Sequence, residues 1–118
     1  MVNYQSTRGR SENLSFEDTV ISGLAPDKGL YLPDSTTLEN LSLLTQEDLS
    51  YEDFVKTIFI ALDKNSASLI EDISLYPGFE VDPTPVLKEL SDSAVVMELF
   101  NGPTKSFKDY ALQPLGAI

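Results

Sequence analysis

The segment Thr104-Lys105-Ser106-Phe107-Lys108-Asp109 carries the densest group of side chains able to do chemistry. The sequence has no cysteine and no histidine. That removes a thiolate nucleophile, a sulfur-ligated metal, a Ser-His-Asp triad and an HExxH zinc site. Lysines, carboxylates, hydroxyls and backbone remain. Ser106 reads as a helix N-cap with Asp109 three residues on as the acidic half of a capping box, which puts Lys108 in the first helical turn. The backbone dipole opposes positive charge there and so favours the free amine that attack on an aldehyde needs. A lysine in a first turn is more often an ordinary solvated residue. Thr104-Lys105-Ser106 also imitates the end of a nucleotide-binding P-loop. Thr104 stands where that loop needs a glycine, so the nucleotide reading fails.

The elements around this segment follow from pattern. Ala94 to Phe100 is an apolar run broken only by Glu98 and reads as a strand, with Gly102-Pro103 as the turn after it. Pro114 falls inside the following helix, where it removes the bond to the Tyr110 carbonyl and predicts a kink. Upstream, Ser15-Phe16-Glu17-Asp18 opens a helix by a capping box, and Gly23 stops it. Ser50-Tyr51-Glu52-Asp53 repeats the device before an amphipathic stripe of Tyr51, Phe54, Val55, Ile58, Phe59 and Leu62. A third helix is expected from Ser66 or Ser68 through Ile73, and shorter ones over 37–44 and 45–49. Gly29 to Pro33 reads as a strand that Asn3 to Thr7 could pair with, and Val86-Leu87 as extended backbone after Asp82-Pro83-Thr84-Pro85. The composition shift at Pro83 to Pro85 is the expected internal boundary. The fold class is α+β.

Composition narrows the partners. The 118 residues fit one ordinary domain, and 42% hydrophobic with 23% charged residues is a globular balance. Eight basic against 19 acidic residues give a net charge of −11, which disfavours nucleic acid and anionic membrane surfaces. The first twelve residues lack the apolar stretch of a secretory signal, and Ile58 to Leu62 is the longest apolar run. A cytoplasmic protein is expected.

Taken in order, Leu99-Phe100-Asn101-Gly102-Pro103-Thr104-Lys105-Ser106-Phe107-Lys108-Asp109 resembles the cofactor-lysine motif of threonine synthases, ELFHGPTxAFKD. Ser6-Thr7-Arg8-Gly9, Phe16 to Gly23 and Leu24-Ala25-Pro26-Asp27-Lys28-Gly29-Leu30-Tyr31-Leu32-Pro33 are similar to the family's N-terminal signature. Asp82 to Val86 is similar to its extended lead into the lysine region. The resemblance implies a tryptophan-synthase-β-like fold and pyridoxal 5′-phosphate as cofactor, held by Lys108 as a Schiff base. It implies a carbon–oxygen lyase converting O-phospho-L-homoserine and water to L-threonine and phosphate, with Lys108 also moving protons. Thr104 and Phe107 flank the lysine as further cofactor-pocket candidates, their plain alternatives being a turn hydroxyl and a buried aromatic. No metal is implied.

Two departures stand out. Asn101 replaces the family's usual histidine and cannot titrate, and Lys28 replaces the first glycine of DGGL. The chain ends soon after Lys108, before any Gly-rich phosphate cup or partner for the cofactor's ring nitrogen. The expectation is therefore the N-terminal portion of such an enzyme, inactive by itself and unable to retain the cofactor. Residues 1–85 would form the family's N-terminal domain and residues 86–118 the first strand–turn–helix of a cofactor-binding α/β domain. Through residues 94–118, the fragment would self-associate. The alternative is a stand-alone, non-catalytic interaction or folding module that keeps the motif without its chemistry.

Overall fold

The computed structural model describes residues 2–9, 11–12, 14–35, 37, 41, 48–63, 65 and 67–117. The chain divides into two compact units, Met1–Asp48 with Thr57–Ala67, and Leu49–Lys56 with Ser68–Ile118.

The first unit is built on three short strands. β1 (Tyr4–Ser6) lies between β2 (Ser11–Glu12) and β3 (Tyr31–Pro33), antiparallel to both. The expected pairing of the N-terminal strand with the Gly29–Pro33 region is present, in the register Tyr4 to Pro33 and Ser6 to Tyr31. Alternation sends Tyr4 and Ser6 inward and Gln5 outward. α1 (Phe16–Ser22) has the expected capping box. The Asp18 amide donates to Ser15 Oγ at 3.1 Å, and the Ser15 amide donates back to the Asp18 carboxylate. Gly23, at φ +68°, ends the helix by donating to the Thr19 carbonyl.

The core of this unit is a run of rings. Tyr4 is 6.2 Å from Phe16, and Phe16 meets Phe59 edge-on at 6.3 Å. The buried Tyr4 hydroxyl spends its proton on the Leu62 carbonyl at 2.8 Å. The loop before β3 is tied down by Asp27, whose carboxylate accepts from Ser6 Oγ at 2.7 Å and from the Gly29 amide at 2.9 Å.

α2 (Tyr51–Leu62) supplies residues to both units and matches the expected amphipathic stripe. Ser50 caps it, its hydroxyl accepting from the Asp53 amide at 3.1 Å. In the second unit, Glu52 accepts from the Leu75 amide at 2.8 Å, and Lys56 donates to the Glu71 carbonyl at 3.1 Å. These bonds shape the turn that follows α3 (Ala67–Ile70), which is shorter than expected. Ile73 falls outside it because the chain must turn to bury Leu75 and Tyr76. The short helices expected over 37–44 and 45–49 fall largely outside the described residues.

β4 (Val86–Ser91) and β5 (Ala94–Glu98) form an antiparallel hairpin with an irregularity between Glu89 and Ser91. The expected extended pair Val86-Leu87 is thus the start of a six-residue strand. α4 (Asp109–Ala117) closes the described chain and runs through Pro114. Proline removes the donor that would reach the Tyr110 carbonyl. The Tyr76 hydroxyl supplies the replacement, donating to that carbonyl at 3.0 Å. Tyr76 sits in a ring cluster with Tyr51, Phe79 and Tyr110 at centroid distances of 5.2–6.5 Å. Burial first, then the neighbouring Tyr51, push its hydroxyl far above the usual phenol range and keep it a donor. The whole is an α+β protein with two small antiparallel sheets and four helices among the described residues.

Candidate functional site

The strand–turn–helix expected around Lys108 is present, with its start corrected. α4 begins at Asp109, two residues after the Phe107 start that an N-cap at Ser106 predicts, so Lys108 precedes the first helical turn. Before it come two tighter i→i−3 turns, the Asp109 amide donating to Ser106 and the Tyr110 amide to Phe107. The expected Ser106–Asp109 capping box does not form. Ser106 Oγ accepts from the Lys108 amide at 3.3 Å, and the Asp109 carboxylate turns the other way. It accepts from the Thr104 amide at 2.9 Å and from the Thr104 hydroxyl at 2.8 Å. Asp109 is 5% exposed, a buried charge held by two hydrogen bonds.

That carboxylate fills the inside of the Gly102–Lys105 turn. A side chain on Gly102 would collide with it, which explains a glycine here on grounds of space. The turn closes with the Lys105 amide on the Gly102 carbonyl at 3.1 Å, and Lys105 takes φ +60°.

Lys108 stands at the junction, its carbonyl accepting from Ala111 and Leu112 at 3.1 and 2.8 Å. Its side chain is exposed. Of its two flanking candidates, Thr104 has committed its hydroxyl to Asp109, and Phe107 is 65% exposed, not the buried aromatic of the plain alternative. A cleft of about 370 Å³ opens beside the turn, lined by Gly78, Glu80 and Val81 on one side and by Asn101 to Pro103 and Lys105 on the other. Lys105 lines it and Lys108 does not. The Asp109–Thr104 link was hidden from sequence reasoning because its partners are five residues apart across a turn, a spacing no regular element produces.

Comparison with known proteins gives a consistent result. A family described as threonine synthase N terminus matches residues 3–71. The chain is 38% identical to the threonine synthase of Pseudomonas aeruginosa, over 98% of this chain and 26% of that protein. It is 39% identical to the threonine synthase of Schizosaccharomyces pombe, over 99% of this chain and 24% of that protein. The crystal structure of a PLP-bound threonine synthase from Brucella melitensis superposes with a TM-score of 0.72 at 31% identity, covering 99% of this chain and 26% of that one. The chain therefore spans about a quarter of the length of the relatives it matches. With more than half of its residues matched by the family, the chain belongs to the threonine synthase N-terminus family.

Proposed function

We propose that this chain is the N-terminal part of a cytoplasmic threonine synthase whose complete form converts O-phospho-L-homoserine and water to L-threonine and phosphate. In this reading residues 1–85 are the N-terminal domain and residues 86–118 open the cofactor-binding α/β domain. The observation that carries it is an exposed amine, Lys108, on a motif-matched junction between turn and helix. No helix among the described residues is long and apolar enough to cross a membrane, in keeping with that setting.

The residues present fit one part of what pyridoxal 5′-phosphate requires. Lys108 offers a primary amine open to an aldehyde, and its main chain is fixed on both sides. When bound, the cofactor supplies an electron sink for carbanion chemistry. Lys108 would hold it and, once freed, carry protons at the substrate's carbons. Thr104 and Phe107 flank that lysine in sequence and would be further cofactor-pocket candidates. Asn101 would bind by hydrogen bonding only, because a carboxamide does not titrate.

Borohydride reduction of the full-length, cofactor-loaded protein followed by peptide mapping tests the assignment. The pyridoxyl group is expected on Lys108, and label on Lys105 overturns it. The 118-residue chain alone is expected to show no threonine synthase activity and to lose the cofactor on dialysis. Stoichiometric retention would refute the incompleteness of its site.

A further inference from the structure

We propose that Asp109 is a positioning residue whose buried carboxylate latches the Gly102–Lys105 turn to the start of α4. The latch makes Lys108, rather than Lys105, the amine that an aldehyde ligand engages. This deepens the reading of Lys108 above and rests on it.

Lys105 and Lys108 are both exposed primary amines, three residues apart. Their side-chain chemistry is the same, so any preference between them must come from the backbone that carries them. Lys105 ends the turn in a left-handed conformation and lines the cleft. Lys108 is fixed from both ends, its amide on Ser106 Oγ and its carbonyl on the Ala111 and Leu112 amides of α4. The next residue is the latch. Both carboxylate oxygens of Asp109 are spent on Thr104, one on the amide and one on the hydroxyl, and Gly102 leaves the space the carboxylate occupies.

A carboxylate in the first turn of a helix is favourable even when exposed. Burying it adds a desolvation cost that helix capping alone does not require. The added return is a closed six-residue loop, 104 to 109, that carries both Lys105 and Lys108. Without the latch, the turn is free to open, Lys105 moves independently, and the two amines become equivalent.

The test uses the full-length protein with pyridoxal 5′-phosphate and cyanoborohydride. Amine and aldehyde condense with loss of water, and hydride from the reductant fixes the link as a secondary amine. Peptide mapping then gives the ratio of label on Lys108 to label on Lys105. The unaltered chain is expected to favour Lys108. Thr104→Val deletes one hydrogen bond to a charged acceptor and should lower that ratio by up to about tenfold. Thr104→Ser restores the hydroxyl and should restore the ratio, a rescue that general loss of stability would not give. Asp109→Ala should abolish the preference. If that variant does not fold by circular dichroism, the two Thr104 variants decide the matter. Label on Lys105 as strong as on Lys108 in the unaltered chain overturns the Lys108 reading itself and the latch with it. A preference for Lys108 that persists unchanged in a folded Thr104→Val variant overturns the latch alone.

Discussion

Lys28 and Lys105 share a backbone conformation that lysine seldom adopts, with φ of +68° and +60°. The left-handed region costs an L-residue with a side chain roughly 1–2 kcal/mol. At Lys28 the neighbours impose it: the Ala25 amide bonds to Gly29, the Lys28 amide bonds to Ala25, and Asp27 ties Gly29 to Ser6. Position 28 is also where the family motif usually has glycine. Lys28→Gly should raise stability by up to about 1 kcal/mol, the relief being offset in part by the freer unfolded chain. Denaturant midpoints check it, and a destabilised variant would contradict it. Gly29 differs in kind, since a side chain there would collide with Ser6 Oγ. Tyr4 carries a pH prediction. Burial first, then the charges of Asp63 and Asp34, push its hydroxyl from 10.0 up to about 12. A raised folded-state value means the contribution is complete below the unfolded value near 10 and is lost as pH rises through about 12. Stability should therefore fall over that window, and Tyr4→Phe should flatten the fall. An unchanged alkaline limb in Tyr4→Phe would remove Tyr4 as its source.

Elements were legible where a local rule and the tertiary structure agree. The Ser15–Asp18 box, the Ser50 cap and the stripe from Tyr51 to Leu62 are written in local spacing, and all are present. β4 was only half visible, because its exposed residues mix Lys88 and Glu89 with apolar ones and leave no alternation to read. The start of α4 was misplaced because Asp109 had two possible partners, Ser106 and Thr104, and only the folded turn selects between them. Pro114 shows the same limit. Sequence announces the orphaned Tyr110 carbonyl, but not that Tyr76 answers it from a residue 34 positions away. That bond gives an element-scale prediction. Tyr76→Phe should cost about 1–3 kcal/mol, the price of a buried acceptor left unsatisfied. In a Pro114→Ala background the new amide can reach the Tyr110 carbonyl, so the same substitution should cost less. A double-mutant cycle measures the difference, and strict additivity would show that the two donors do not compete for one carbonyl.

At the scale of the whole molecule, the β4–β5 hairpin leaves a group of large apolar side chains in water. Leu87, Leu90, Val95 and Met97 are 61%, 70%, 57% and 55% exposed. In α4, Leu112 is 57% exposed. Each large apolar side chain left in water forgoes about 1.5–3 kcal/mol of burial. A two-stranded sheet also has two outer edges with unpaired backbone groups. By themselves these features predict that the 118-residue chain self-associates through residues 94–118, β5 pairing along its free edge with the same strand of a second copy. The net charge of −11 opposes association, but at physiological salt screening limits that repulsion to a range of about 8 Å. Apolar contact acts at shorter range and is strengthened rather than screened by sulfate. Light scattering at micromolar concentration should therefore give a mass above 13.0 kDa that rises with added sulfate. Val95→Lys should shift it toward the monomer, because it places charge on the exposed strand without touching the core. A monomer at all salt concentrations, with the amides of residues 94–98 slow to exchange, would mean that the hairpin satisfies itself and would defeat the prediction.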